Sequence, residues 1–124
     1  MKNKLKEIKK SIQAKKLDDL EEEMEFGIRD EIIEKIKKIA QDERSIKKIY
    51  IFGSRAKGTY KSKSDIDIAV EFYDGFDEED FLRLYNAIQE INTLYKFDII
   101  NLNEDLEEKF KNNILEEGKE IYEY

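Results

Sequence analysis

Cysteine, histidine and proline are all missing from this chain of 124 residues, and each absence removes a class of chemistry. Without cysteine there are no disulfides and no thiolate metal sites; without histidine, the commonest metal ligand and the usual general base are gone. Any catalysis must run on carboxylates, hydroxyls, lysines and a hard metal ion. Long apolar runs are missing too. No stretch approaches the roughly 20 residues that span a bilayer, and the lysine-rich N-terminus lacks the apolar core of a signal peptide. A cytoplasmic protein without membrane contact is the expectation. Acidic residues outnumber basic ones to give a net charge of −7, so the molecule as a whole repels nucleic acid and any contact with a phosphate chain must be local. Heavy use of Lys, Glu and Ile with no Pro suits a heat-adapted or compositionally biased source.

What is present reads as one domain with a charged extension. Residues 1 to 25 form an expected helix, with Leu5, Ile8, Ile12, Leu17, Leu20 and Met24 at near-helical spacings, ended by Gly27. Residues 26 to 124 make the main domain. Ile28, Ile32, Ile33, Ile36 and Ile39 trace the apolar face of a second helix. Ile46 to Phe52 is a β-branched and aromatic run that stops at Gly53-Ser54, as a strand entering a tight turn would. Asp65 to Phe72 alternates, with Asp65, Asp67 and Ala69 on one face and Ile66, Ile68 and Val70 on the other. A helix from Asp77 to Leu94, a third strand from Lys96 to Leu102, and a last helix reaching Gly118 complete the pattern, followed by a short KEIYEY tail. The order is α-α-β-β-α-β-α, an α/β sandwich with a small mixed sheet.

The chemistry concentrates in IFGSRAKGTYKSKSDIDIAV, residues 51 to 70. A strand delivered into Gly53-Ser54 exposes backbone N–H groups, and glycine lets that backbone approach a phosphate closely. Arg55, Lys57, Lys61 and Lys63 follow without an acid until Asp65, reversing the sign of an otherwise acidic chain. Asp65 and Asp67 point to one face with Cα atoms roughly 6–7 Å apart, and their oxygens suit hard divalent cations. Two such ions about 4 Å apart clamp the attacking and leaving oxygens of an in-line phosphoryl displacement. Asp98, on the third strand, completes a cluster of three carboxylates if that strand neighbours the second in register, and it is the candidate base for an attacking hydroxyl. By itself a Gly-Ser turn near lysines is ordinary loop sequence, and an Asp-x-Asp on an edge strand is a solubility device. Their joint occurrence, with ten residues between Ser54 and Asp65, points to a metal–nucleotide site. A P-loop fails because Thr59 stands where the phosphate-binding lysine should follow the second glycine.

GSRAKGTYKSKSDID, Gly53 to Asp67, resembles the Gly-Ser, ten residues, Asp-x-Asp signature of the DNA polymerase β-like nucleotidyltransferase superfamily, and the short chain resembles its minimal (MNT) branch. The resemblance implies Gly53 and Ser54 holding a triphosphate, Asp65 and Asp67 binding two Mg²⁺ ions, and Asp98 as the third acid. It implies transfer of AMP from ATP to an acceptor hydroxyl. Small MNT proteins resemble antitoxins paired with HEPN-domain toxins, some of which receive AMP on a tyrosine. Arg55 and Lys57 are candidates for nucleotide contact, with a solvated basic loop as the alternative. Two other readings stay open: a binding module that neutralises its partner by occlusion, and a nucleotidyltransferase acting on a small molecule or RNA end. The lysines of residues 2 to 16 precede the acids of residues 18 to 25, opposing the helix dipole. That order suggests an antiparallel homodimer seam, with folding back onto the domain or contact with a toxin as alternatives.

Overall fold

The computed structural model describes residues 25–124. The expected N-terminal helix, apart from Glu25, and the dimer seam assigned to it lie outside the described residues. Glu25–Gly27 is a single 3₁₀ turn, after which Ile28 is already fully buried. Helix α1 spans Asp30–Gln41 and buries Ile32, Ile33, Ile36 and Ala40, the i, i+1, i+4, i+8 positions of one face. Strand β1, Ile46–Phe52, runs into a five-residue helix α2, Gly53–Lys57. Strand β2 is Ile66–Phe72, helix α3 Glu78–Gln89, strand β3 Phe97–Asn101, helix α4 Glu108–Glu117 and strand β4 Lys119–Glu123. The sheet order is β3-β2-β1-β4. Strands β2 and β3 are parallel, with α3 in the crossover between them; β1 pairs antiparallel with β2 and with β4.

Period-two alternation divides the sheet into two unequal faces. Ile49, Ile51, Ile66, Ile68, Val70, Phe97 and Ile99 pack with residues of α1 and α3 in the larger core, while Tyr50, Ala69, Leu102 and Ile114 form a smaller one toward α4. A fully buried isoleucine stabilises by roughly 1.5–3 kcal/mol. The larger core therefore supplies most of the burial, and the smaller face is left room for polar groups at its open end. Asp67 and Asp98 have the parity of Ala69 and Ile100, so they belong to that smaller face.

Three expectations are corrected. The KEIYEY segment is not a tail but an edge strand, β4, paired with residues 48–51. The third helix stops at Gln89, whose Nε2 donates to the Phe97 carbonyl at 3.1 Å, and residues 90–96 form a loop rather than a further helical turn. The turn expected at Gly53-Ser54 is the first turn of α2, which ends at Gly58 in the left-handed conformation.

Candidate active site

Three loops meet at one end of the sheet. Because β1 is antiparallel to β2, and β2 parallel to β3, the residue after β1 and the residues at the starts of β2 and β3 are brought to the same edge. Gly53 comes from the first, Asp65 and Asp67 from the second, Asp98 from the third. The register makes the meeting specific: Phe52 is the antiparallel partner of Asp67, and Asp98 is its parallel partner. Asp98 therefore lies beside Asp67 on the neighbouring strand, as the sequence reading required.

Gly53 has φ +71°, and a Cβ built there would stand 2.3 Å from Oδ2 of Asp67. The carboxylate rests against bare backbone, so the Gly-Ser turn and the acidic cluster are one continuous surface. Glycine is needed twice, once for the left-handed backbone and once for the space. Gly58 separates the two effects: it has φ +82° but open space around it. Gly58→Ala is expected to cost about 1 kcal/mol of backbone strain and keep nucleotide binding. Gly53→Ala should displace Asp67 and lose Mg-ATP binding by about tenfold or more, a 1.4 kcal/mol change. Calorimetry on both variants checks this; equal affinities would remove Gly53 from the site.

Electrostatics agree with the geometry. Burial, then the charges of Asp98 and Asp65, hold the Asp67 carboxyl above the usual carboxylate range, with partial relief from Arg55. Asp65 and Asp98 are themselves exposed. The expectation of three converging carboxylates is corrected at the level of the side chains: among the described residues no three acidic groups gather closely enough to hold a metal ion by themselves. The backbone placement of Asp98 beside Asp67 is as expected. The donor set nonetheless fits Mg²⁺, which takes oxygen ligands and characteristically shares its coordination between one or two carboxylates and substrate phosphates. A half-buried carboxylate pressed by two like charges, against a glycine with no Cβ, is a group that a divalent cation would relieve.

Arg55 is the largest correction. Its side chain is buried, with 1 % exposure. Nε donates to the Ser64 carbonyl at 3.2 Å, Nη1 to the carbonyls of Phe26 and Gly27 at 3.0 and 3.1 Å, and Nη2 to those of Ser62 and Ser64 at 3.4 and 2.7 Å. The rings of Tyr60 and Tyr95 lie within 5.0 and 5.2 Å of its guanidinium, two cation–π contacts. The Tyr95 hydroxyl also donates to the Gly27 carbonyl at 3.2 Å. With its donors spent on backbone, Arg55 is not a nucleotide ligand; it is the pin of the loop that carries Asp65. Lys57 is half-exposed and forms an ion pair with Glu117 at 3.4 Å. That places its ammonium toward α4, and such an exposed pair contributes little to stability.

A family model described as polymerase beta, nucleotidyltransferase, matches residues 34–124, a span that includes every strand of the described residues and the whole acidic cluster. The chain belongs to this nucleotidyltransferase family. Among its relatives are two proposed protein adenylyltransferases of Methanocaldococcus jannaschii. One is 42% identical over 73 residues, covering 59% of this chain and 84% of the relative; the other is 43% identical over 74 residues, covering 56% and 71%. A solved toxin–antitoxin complex with AMP-PNP contains a similar chain, with a TM-score of 0.59 and 27% identity over 74% of this chain and 73% of that one. A mutant MntA-HpeT toxin–antitoxin complex gives a TM-score of 0.59 at 25% identity, with the same coverage. The mixed sheet and its flanking helices are thus the nucleotidyltransferase fold, as the sequence motif implied. Among the described residues of this nucleotidyltransferase, no helix is long and apolar enough to cross a membrane.

Proposed function

We propose that this nucleotidyltransferase transfers AMP from ATP to a hydroxyl of a partner protein, a tyrosine of a HEPN-domain toxin, and so acts as its antitoxin. The observation that carries the transfer chemistry is the Asp67 carboxylate lying against Gly53 with Asp98 in register beside it. That arrangement brings a phosphate-approachable backbone and two acids to one point. The relatives named as adenylyltransferases and the toxin–antitoxin neighbours support the choice of acceptor.

In this reading Gly53 and Ser54 hold the triphosphate with N–H groups of the first turn of α2, which have no intrahelical acceptor. Asp65 and Asp67 would hold two Mg²⁺ ions, together with phosphate oxygens, and Asp98 would share one of them. Bound there, the ions neutralise charge on the reacting phosphate and the departing pyrophosphate. Asp98 accepts the proton of the acceptor hydroxyl as its oxygen bonds to the α-phosphorus. The bond from that phosphorus to the bridging oxygen breaks, and pyrophosphate carries the electron pair away. Each group works mainly by position, since this displacement needs alignment and charge stabilisation more than covalent help from the protein.

The deciding experiment incubates the full chain with α-labelled ATP, Mg²⁺ and a purified HEPN-domain protein. Label is expected on a tyrosine of the partner, and Asp98→Ala should abolish transfer while leaving nucleotide bound. Label on RNA or a small molecule, or none on the partner, would sink the reading. Mg-ATP should also stabilise the protein by about 2.7 kcal/mol at a hundredfold excess over its dissociation constant. Thermal melts with and without ligand measure that gain, and an unchanged midpoint would argue against the site.

A further inference from the structure

The loop entering β2 and the loop entering β3 enclose a groove of about 660 Å³ that reaches the acidic cluster at Asp65. Its walls carry three cations, Arg29, Lys63 and Lys96, together with the ring of Tyr95 and the side chain of Leu94. Leu94 is fully exposed. In a chain of net charge −7, a hollow with three positive groups around an apolar anchor is a local reversal of sign.

The position of the groove decides what it can serve. In the sheet order β3-β2-β1-β4, Gly53 follows β1 while the groove is bounded by the segments leading into β2 and β3. The groove shares Asp65 with the acidic cluster, whereas Gly53 and Ser54 do not line it. In-line displacement needs the attacking oxygen and the leaving pyrophosphate on opposite sides of the α-phosphorus. With the triphosphate at Gly53-Ser54, neither of which lines the groove, the groove is left free for the acceptor beside Asp65. Its frame is rigid: Arg55 ties the Ser62 and Ser64 carbonyls on one wall to Phe26 and Gly27 beneath, and stacks on Tyr95 of the other wall.

We infer that this groove docks an acidic segment of the acceptor protein, with an apolar side chain on Leu94 and the target tyrosine directed to Asp65 and Asp67. The inference rests on the reading that the acceptor is a protein hydroxyl. Charge complementarity selects the segment: Arg29, Lys63 and Lys96 attract carboxylates and would repel a basic stretch. Loop 90–96 is then a specificity element, since it supplies Leu94, Tyr95 and Lys96 to the groove.

Two fluorescein-labelled synthetic peptides test this, one with a Leu-Tyr pair flanked by Glu and Asp, the other with lysine at each acidic position. Binding to the full chain is read by anisotropy with Mg²⁺ and α,β-methylene ATP, and AMP transfer from ATP is read in parallel. The acidic peptide should bind at least about tenfold more tightly at low salt, and most of that preference should vanish near 0.5 M salt. The R29E/K63E/K96E variant should reverse the preference; Leu94→Asp, at a fully exposed position away from the acidic cluster, should weaken the acidic peptide with Mg-ATP affinity unchanged, and serves if the triple variant does not fold. Preferential binding without transfer upholds the groove and removes the transfer reading. Transfer without preference, or no peptide binding, overturns the groove. A labelled oligoadenylate bound as tightly as the acidic peptide overturns the protein partner, and acidic-peptide binding undiminished by charge reversal overturns the groove.

Discussion

Asp67→Asn is expected to abolish adenylyl transfer and, in metal-free buffer, to melt higher than the parent. Loss of a metal-holding carboxylate removes several kcal/mol of transition-state stabilisation, about a thousandfold in rate at 1.36 kcal/mol per decade. The stability effect has the opposite sign. Asp67 is half-buried beside Asp98 and Asp65, and its carboxyl is held above the usual range by burial first and by those charges second. A carboxyl with a raised folded-state pKa binds its proton more tightly folded than unfolded. Between the ordinary value and the raised one, stability therefore increases as pH falls, and the advantage is lost as pH rises toward neutrality. The asparagine keeps the shape and lacks the charge, so the difference between variant and parent should be largest near neutral pH and shrink on acidification. After discounting for solvent screening the gain is on the order of 1 kcal/mol, or about 4 °C for a domain of this size. Melting curves from pH 3 to 7, with and without Mg-ATP, give the answer: the curves should cross, with the parent ahead only when ligand is present. A variant that melts lower in metal-free buffer and still responds fully to Mg-ATP would make Asp67 a structural group.

The largest loss of stability should come from Arg55→Met. The substitution keeps a long side chain but removes five donated hydrogen bonds to the carbonyls of Phe26, Gly27, Ser62 and Ser64. Carbonyls left without partners cost about 1–3 kcal/mol each when water cannot reach them. Partial rehydration at this loop brings the expected total to about 4 kcal/mol, a large share of a typical 5–15 kcal/mol domain stability. Arg55→Lys retains charge but has no planar fork to span carbonyls from two directions, and should recover less than half of the loss. Urea unfolding measures both, and a cost below about 1 kcal/mol for Arg55→Met, the scale of a single ordinary hydrogen bond, would show that the pin is dispensable.

Much of this architecture is legible in the sequence wherever burial imposes a period. Helix α1 and strands β1, β2 and β3 follow from isoleucines spaced for one face or one side, and each boundary lies within two residues of its expected place. Strand β4 escapes because Lys119-Glu120-Ile121-Tyr122-Glu123 is an edge with no fully buried residue, so its chemistry resembles a solvated tail. The overlong third helix has a different cause: Ile91 and Leu94 continue the helical period, but Leu94 ends in solvent and the period carries no core. Within the site, Gly53, Asp65 and Asp67 are joined by short-range spacing and Asp98 by strand parity. Arg55 could not be assigned that way. Its acceptors are backbone carbonyls, which have no sequence signature, and the only visible hint was a pair of tyrosines, Tyr60 and Tyr95, without obvious core positions.

The parallel pairing of Asp67 with Asp98 also makes the site a ruler cut in steps of two. A slip of β3 by one residue would carry Asp98 to the opposite face and drive Ile99 out of the larger core, so burial forbids it. A slip of two would keep the pattern but move the carboxylate by roughly 6–7 Å, beyond any shared ion. Evolution or design cannot therefore adjust the spacing of these two acids by sliding backbone; it can only lengthen, shorten or turn the side chains. Substitutions at Ile66, Ile68 or Ile99 that loosen the grip of the core on its register should consequently blunt metal affinity from a distance, without a single atom of the site having been replaced.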